Sequence, residues 1–403
     1  MINNRVVTLI IISAFYSTPS SCYELIKKDS SLSKSLTIHY DGKKPIIEIE
    51  KMNIQGVSHN YYENFNIGKE GALLTFGKGN SPTTVINEVT SSNESVLKGK
   101  LSVEGRAVNM IIANPNGITC SNCDFDNIGK LTFITGFTNS KKPMDFFIPI
   151  QSNITFITKN KMMYDDISIV SHNILFKGDG SIYANKMKII NDNLIYNLYG
   201  FNTPKYKVDY NAETSIEKRV TLNVHDFSVI SDKSNFINRG VINVGRFTLE
   251  SNAMFKNFKE INIQTGRILP LLTMFDIKEK YEINTKTHSR IKSTIFSNNK
   301  GAKFTVYKTN LDVELSEGDF INKGNMRFEH SDIDFKVKNV FQKEDANLVN
   351  IFSLVNLNID DRVDLNGKIH SVGNDVDDKI RINRGSIINI HTANQDKVIS
   401  KIH

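Results

Sequence analysis

Short apolar runs, each ended by turn-forming residues, recur along the chain. Between Gly68 and Gly105 the runs ALLTF, TTVINEVT and VLKGKLSVEG are separated by Gly, Asn and Ser. Runs of this length with alternating apolar positions are typical of β-strands, and no segment combines a sustained helical period with capping residues. The sequence therefore predicts an all-β protein.

One central stretch shows how the strands are joined. Val108–Ala113 is almost entirely apolar, which favours a strand buried on both faces, and Asn114-Pro115-Asn116-Gly117 ends it with residues suited to a tight turn. Ile118 and Thr119 resume the extended pattern before a second corner at Cys120–Cys123. Leu131–Thr135 then alternates as a half-buried strand does. Strands joined by sharp corners predict a coil of β-structure.

A corner pattern repeats in the later half of the chain. Phe236-Ile237-Asn238 and Phe255-Lys256-Asn257 lie 19 residues apart, and Phe296-Ser297-Asn298 precedes Phe320-Ile321-Asn322 by 24. Repeats near 20 residues predict a solenoid whose turns stack strand on strand, with chance recurrence in an Asn-rich chain as the alternative. Proline is absent after Pro270, as ladder hydrogen bonding requires.

Four segments are predicted to depart from the coil. Residues 36–54 contain two alternating runs joined by a turn, which predicts an opening hairpin or cap, whereas Gly56–Ile67 lacks a clean period and is interpreted as a surface crossing. Phe146–Ile150 and Ile154–Ile157 are predicted to form an extra-helical hairpin. Lys-rich Pro270–Ser293 is predicted to be a loop.

The composition suits a long, thin fold. Only 39% of the 403 residues are hydrophobic and tryptophan is absent, so a narrow apolar column is easier to fill than one thick core. The net charge of +7 comes from 50 basic and 43 acidic residues spread along the sequence. Without a basic cluster interleaved with aromatic residues, a nucleic-acid interface is not indicated.

The N-terminus has the features of a secretory signal peptide. Arg5 precedes the apolar segment Val6–Tyr16, which is too short to span a bilayer, and cleavage is expected between Ser20 and Glu24. Cys22 raises a lipid-anchored alternative, which Pro19 three residues earlier disfavours. The sequence therefore predicts residues 1–22 as a signal peptide.

The remaining cysteines, Cys120 and Cys123, form the only pair left in the mature chain. A disulfide is the simplest expectation in an exported protein, and it requires the backbone to turn because residues three apart in a strand are about 10 Å apart. A redox site would need a following helix, and a zinc site would need two further ligands that the spacing does not supply.

An enzyme on the same architecture is the alternative function. A carbohydrate-active β-helix needs carboxylates gathered on one face, and the candidates are acidic residues near the C-terminus. These candidates are Asp360, Asp361, Asp364, Asp375, Asp377 and Asp378. Solvated turn carboxylates are the simpler interpretation, and the nine histidines are scattered, so neither catalytic residues nor metal ligands nor a cofactor are predicted.

Several blocks in order resemble the secretion domain of two-partner secretion exoproteins, which include filamentous haemagglutinins, haemolysins and contact-dependent inhibition proteins. The blocks are GVSHN at Gly56–Asn60, INEVT at Ile86–Thr90, LSVEGR at Leu101–Arg106 and NPNGIT at Asn114–Thr119. The CxxC that follows is similar to the haemolysin-like branch. Where the family usually has Phe-Ile-Asn-Thr, this chain has Phe125-Asp126-Asn127-Ile128.

The resemblance implies a right-handed parallel β-helix with an N-terminal β cap. It also implies export through the periplasm to the cell surface or medium, by an outer-membrane transporter that recognises the N-terminal domain with its periplasmic domains. The implied secretion motif is Asn114, Pro115, Asn116, Gly117 and Ile118, and haemolysin-type or adhesin-type activity toward a host cell membrane or surface is expected.

The resemblance divides the chain into three parts. Residues 1–22 would be the signal peptide, 23–265 the secretion domain, and 266–403 a continued β-helical stem. Family exoproteins usually carry a longer stem or a C-terminal effector, so either this is a short or truncated member or the activity lies in the partner's handling of a short rod.

Overall fold

The computed structural model describes residues 25–139, 142–191, 195–197, 212–231, 233–265, 287–373, 380–383, 387–390 and 398–401. The predicted signal peptide therefore lies outside the described residues. Every regular element in the described part is a strand. The strands are β1 Ile26–Lys28, β2 Thr37–Asp41, β3 Lys44–Glu48, β4 Val57–Phe65, β5 Ala72–Thr75, β6 Thr84–Val89, β7 Ser95–Leu97, β8 Lys100–Val103, β9 Val108–Ala113, β10 Ile118–Ser121, β11 Asp124–Asp126, β12 Ile128–Ile134, β13 Phe137–Asn139, β14 Lys142–Phe147, β15 Asn153–Thr158, β16 Lys161–Val170, β17 Asn173–Gly178, β18 Ser181–Ile190, β19 Ile195–Asn197, β20 Glu213–Ile216, β21 Thr221–Ile230, β22 Asn235–Asn238, β23 Val241–Glu250, β24 Met254–Asn257, β25 Glu260–Gln264, β26 His288–Ser293, β27 Ile295–Asn298, β28 Lys303–Tyr307, β29 Asn310–Asn322, β30 Asn325–Glu329, β31 Asp332–Gln342, β32 Asn347–Ile351, β33 Leu354–Leu365, β34 Lys368–Val372, β35 Ile380–Asn383, β36 Ile387–Ile390 and β37 Val398–Lys401.

These strands wind into a right-handed parallel β-helix, as predicted. Strands of successive turns lie on one another in three stacks. Stack A contains β3, β5, β8 and β11 and continues through the first halves of β18, β21 and β23. Stack B contains β4, β6, β9 and β12 and continues through the second halves of the same long strands. Stack C contains β7, β10, β15, β17, β20, β22, β24 and β27. Along the chain, successive strand segments belong to stacks C, A and B in turn. One segment from each stack makes one rung, which is one turn of the coil.

A column of phenylalanine rings fills the interior of the coil. Phe236 pairs in register with Phe255, which pairs with Phe296, and the latter two rings stack 4.6 Å apart. All three are buried, and Phe227 and Phe247 pack against Phe236 from neighbouring stacks. Burying one such side chain stabilises the fold by roughly 1.5–3 kcal/mol. Each rung therefore contributes a small slice of one continuous core.

A ladder of buried asparagines runs along the corner between stacks C and A. Asn238 Nδ2 donates to Asn257 Oδ1 (2.9 Å), Asn257 Nδ2 to Asn298 Oδ1 (3.0 Å), and Asn298 Nδ2 to Asn322 Oδ1 (3.0 Å). Each of the three amides also donates to a backbone carbonyl of the following rung. These are the asparagines of the repeated Phe-x-Asn pattern, and the predicted corner is confirmed.

The first rungs are closed by a cap. β1 pairs antiparallel with β4, and β2 pairs antiparallel with β3, so the predicted opening hairpin is confirmed. β2 forms the outer edge of a five-stranded sheet in which β3, β5, β8 and β11 are parallel. The cap sheet is thus the N-terminal continuation of stack A.

The extra-helical hairpin is present but its predicted residues were wrong. β13 and β14 form the hairpin and β19 adds a third strand, whereas Ile154–Ile157 belongs to β15 in stack C. The prediction failed because a proline argues against a strand, whereas Pro143 lies near the start of β14, before the residues Asp145–Phe147 that pair with β19.

Two other predicted interruptions are strands. Gly56–Ile67 contains β4, whose buried positions include the polar residues Ser58 and Asn60, so its period was hidden. Both side chains are satisfied: Asn60 Oδ1 accepts a hydrogen bond from Glu50 N, and Ser58 Oγ donates to Glu50 O. The end of the predicted loop Pro270–Ser293 is β26, while residues 270–286 lie outside the described residues.

Across the described ranges we find no helix of the length and hydropathy needed to span a bilayer.

Candidate functional site

Strand β9 is buried on both sides, as its apolar sequence predicts. Met110 and Ile112 point into the main core, whereas Ile111 and Ala113 lie in a second apolar cluster outside the coil. That second cluster is closed by Phe146 of the extra-helical sheet. β9 therefore arrives at its terminal turn with a fixed position and direction.

The side chain of Asn114 organises the turn that follows β9. It is fully buried, and its Nδ2 donates to Asn93 O and to Ser95 Oγ, both at 2.9 Å. Its Oδ1 accepts from Asn116 N (2.9 Å), so the side chain holds both its own turn and the preceding rung. An amide is suited to this position because it supplies two donors and an acceptor from one end. Asn114 therefore links its own turn to the preceding rung through side-chain hydrogen bonds.

The rest of the motif completes the corner between stacks B and C. Gly117 has φ +120°, and an added Cβ would lie 3.3 Å from Asn153 O, so a side chain here would strain the next rung. Asn116 is exposed and its Nδ2 donates to Ser91 O (2.7 Å), while Ile118 is fully buried at the start of β10. Pro115 lies in the turn between Asn114 and Asn116.

A shallow polar groove lies beside this turn. Its volume is about 330 Å³, and its lining includes Glu94, Asn116, Asn153 and Asn173. Glu94 accepts a hydrogen bond from the Thr119 hydroxyl. No basic residue lines the groove, so it offers amides and one carboxylate to a ligand.

The second corner of the central stretch carries the disulfide Cys120–Cys123, whose Cα atoms are 5.3 Å apart. Asn122 turns the backbone there with φ +51°, and its Oδ1 accepts from Lys159 N and Asn160 N of the next rung. Both sulfurs lie within 3.7 Å of the buried Tyr164 hydroxyl. Burial raises the pKa of the Tyr164 phenol, so the sulfurs face a neutral hydroxyl.

Removing this disulfide is expected to have a modest effect. Because it closes a very short loop, the Cys120→Ser/Cys123→Ser variant should lose about 2 kcal/mol of unfolding free energy and remain folded. Urea unfolding of wild type with and without dithiothreitol is the matched comparison. Dithiothreitol should lower the wild-type midpoint and leave the double variant unchanged. An unchanged wild-type midpoint would contradict a stabilising bond at this corner.

A polar cluster fixes the extra-helical sheet to the coil. The buried carboxylate of Glu88 accepts from His59 Nε2 (2.8 Å), from Thr138 N (2.9 Å) and from the Thr138 hydroxyl (2.7 Å). The His59 ring stacks on Tyr61, and burial together with the Glu88 charge raises the pKa of the Tyr61 phenol. His59 is therefore a hydrogen-bonded part of the scaffold.

The divergent motif also forms a corner. Asn127 has φ +61°, and its Nδ2 donates to Val103 O (3.0 Å) and Gly105 O (2.6 Å) of the preceding rung. Phe125 packs edge-on against Phe133 at 5.7 Å. Compared with the usual Phe-Ile-Asn-Thr motif, Phe125 and Asn127 are retained, while Asp126 and Ile128 differ.

The candidate catalytic carboxylates do not form a site in the described part of the chain. Asp364 pairs with Arg362 (2.7 Å), and Asp360 and Asp361 are exposed at a bend in β33. Asp375, Asp377 and Asp378 lie outside the described residues. Within those residues, no three His, Cys, Asp or Glu side chains are grouped to hold a metal ion.

Sequence reasoning found the turn residues and missed their partners. Asn93, Ser95 and Glu88 act through contacts 19 to 50 residues distant in sequence. Glu88 lies within the INEVT block, but that block does not indicate which residue it contacts. Their roles follow only from the rung-to-rung register.

Comparison with known families identifies the kind of protein. Residues 26–267 match the family described as "TPS secretion domain". With its cap, its outer sheet and the buried Asn114 of its Asn-Pro-Asn-Gly turn, the chain is a β-helical exoprotein. The match covers more than half of the chain, which therefore belongs to the two-partner secretion family.

Curated relatives match a limited part of the sequence. The chain is 33% identical over 202 residues to the 16S rRNA endonuclease CdiA of Enterobacter cloacae subsp. cloacae, covering 42% of this chain and 6% of that protein. It is 35% identical over 114 residues to a hemolysin of Proteus mirabilis, covering 24% of this chain and 7% of that protein. A hemolysin of Serratia marcescens is 30% identical over 109 residues, covering 23% and 7%. The matches thus span less than a tenth of each relative.

Two solved structures are similar over most of the chain. The filamentous hemagglutinin secretion domain is 12% identical with a TM-score of 0.39, covering 93% of this chain and 99% of that one. The HMW1 secretion domain from Haemophilus influenzae is 13% identical with a TM-score of 0.45, covering 91% and 95%.

Family membership establishes the route and general role of the protein. It is a secreted exoprotein whose N-terminal domain directs export through the periplasm and across the outer membrane, to the cell surface or the extracellular space. The matched domain is a secretion domain and not an enzyme domain.

Proposed function

We propose that residues 23–265 are the address read by a cognate outer-membrane transporter, and that the turn Asn114–Gly117 is required for that export. The observation that carries the proposal is the family match over residues 26–267, which encloses the buried turn. We propose further that residues 266–403 extend the β-helix as a stem.

The proposed mechanism uses the edges and the stacking of the coil. An unfolded chain in the periplasm offers extended segments, and these pair with the transporter's periplasmic domains by strand addition. β2 is such a segment, because it lies at the edge of the cap sheet and most of its residues are exposed. Outside the cell, each rung buries apolar side chains in the core as it forms. Return through the pore is then unfavourable, because it would expose those side chains again. Asn114 supports the turn and takes no part in bond chemistry.

Export is tested by producing the full chain with and without a cognate two-partner secretion transporter from the same organism. We expect the protein in the medium or on the cell surface when the transporter is present, and in the periplasm when it is absent. Residues 1–265 alone should follow the same transporter dependence. Retention of this shorter chain, with secretion of the full one, would show that the address extends beyond residue 265.

For the exported protein we propose a haemolysin-type or adhesin-type activity toward a host membrane or surface. The similarity to two hemolysins supports it. Erythrocyte lysis by material exported with the transporter, compared with cell binding without lysis, separates the two activities. Cleavage of a glycan by the purified protein would instead favour the carbohydrate-active alternative.

A further inference from the structure

Basic side chains line one corner of the β-helix, the corner between stacks C and A that carries the asparagine ladder. Each of six consecutive rungs places at least one there. These residues, the basic ridge, are Lys218, Arg239, Lys259, Lys300, Lys323 and Lys343. The five lysines are exposed and Arg239 is half-buried.

The ridge is aligned by the backbone. Lys323 N donates to Asn298 O (2.8 Å) and Lys343 N to Asn322 O (2.9 Å), so these two lysines directly follow the ladder position of their rungs. Lys218, Lys259 and Lys300 lie one residue further along the same corner. Lys303 N donates to Lys259 O (2.6 Å), which places the Lys259 corner beneath the Lys300 corner. Cations of successive rungs are therefore separated along the axis by about one strand spacing, about 4.8 Å, and occupy two neighbouring positions of the corner.

This arrangement is unfavourable for the protein alone. Like charges on neighbouring strands destabilise a sheet, and the repulsion here is repeated along the corner. Acidic residues near the same corner reduce it only in part. Asp345 pairs with Lys300 at 2.9 Å with both side chains largely exposed, an interaction worth little in water. In the described part of the chain no carboxylate lies within 4.0 Å of Lys323 Nζ or Lys343 Nζ.

A groove runs beside the upper part of the ridge. It has a volume of about 410 Å³, and its lining includes Lys300, Lys323, Lys343 and Asn366. Glu344 and Asp345 also line it, which leaves a small positive excess. Because the groove crosses successive rungs, it suits an extended ligand along the helix axis.

We propose that the basic ridge binds a linear anionic polysaccharide lying along the β-helix axis. The rung spacing is comparable to the length of one sugar residue in an extended chain, so acidic groups on successive sugars would meet successive cations. Asparagine and lysine side chains in the groove supply donors to sugar hydroxyls. The groove residues Lys300, Lys323 and Lys343 lie outside the residues proposed to direct export, and binding is measured on exported protein, so the two proposals can fail separately.

The test measures binding of the full exported chain to heparin, polygalacturonate, neutral dextran and duplex DNA at two salt concentrations. The ridge variant is Lys259→Gln/Lys300→Gln/Lys323→Gln. The control variant, Lys186→Gln/Lys188→Gln/Lys338→Gln, removes three exposed lysines from other faces. Heparin and polygalacturonate separate sulfate from carboxylate as the preferred acidic group.

We expect the ridge variant to bind the preferred polyanion on the order of tenfold more weakly, with a shallower salt dependence, while the control binds as wild type does. Asp345→Asn should tighten binding because it releases Lys300. Thermal melting of both triple variants should match wild type, since the altered side chains are exposed. Equal binding by the ridge and control variants, or equal binding of wild type to dextran or DNA, would overturn the proposal.

Discussion

Asn114→Ala is expected to destabilise the secretion domain by about 3 kcal/mol, because it leaves Asn93 O, Ser95 Oγ and Asn116 N without their buried partner. The amount of exported protein should fall several-fold, because the coil that forms outside the cell is less stable. Urea unfolding of the purified protein and the ratio of exported to periplasmic protein measure the two effects.

Two control variants show whether the effect is specific to Asn114. Asn116→Ala removes an exposed side chain from the same turn and should cost about 1 kcal/mol. Asn366→Ala alters a second Asn-Gly pair, outside the secretion domain, and should be exported normally. Normal export of Asn114→Ala would show that the motif is dispensable. Loss of export without loss of stability would show that the transporter reads the turn itself.

Asn257→Leu should be the most destabilising change in the asparagine ladder, costing about 4 kcal/mol. The asparagine lies in the middle of the buried ladder, where it accepts from Asn238 and donates to Asn298 Oδ1 and to Lys303 O. Leucine would leave these buried groups unpaired, and water cannot reach them. Thermal and urea unfolding measure the loss, and hydrogen exchange should show it concentrated in the adjacent rungs, since repeats contact only their neighbours.

The control for this variant is another asparagine ladder, on the outer face of stack A. Asn243 Nδ2 donates to Asn223 Oδ1 (2.8 Å) and its Oδ1 accepts from Asn262, but the side chain is half-buried. Asn243→Leu should therefore cost less than about 1 kcal/mol, because water replaces the lost partners. Similar losses at Asn257 and Asn243 would contradict a special role for burial.

The sequence was most informative where one residue does the same work on every rung. Asn238 and Asn257 were recognised because the Phe-x-Asn corner repeats, and Asn114 because a tight turn needs particular residues. β4 was missed because polar side chains occupy its buried positions, so hydrophobic alternation carries no signal there. Glu88 was missed because it acts on a residue 50 positions later. A local pattern cannot report a contact that only the register creates.

The asparagine ladder also gives the coil a direction of growth. Each amide donates toward the later rung, so the last rung to form exposes Nδ2 donors that the next segment of chain must satisfy. A segment that arrives one residue out of register presents a different side chain to those donors and leaves them unpaired. The Asn238–Asn322 part of the ladder thus favours one alignment of successive rungs, because only the correct register places an asparagine oxygen opposite each of these Nδ2 donors.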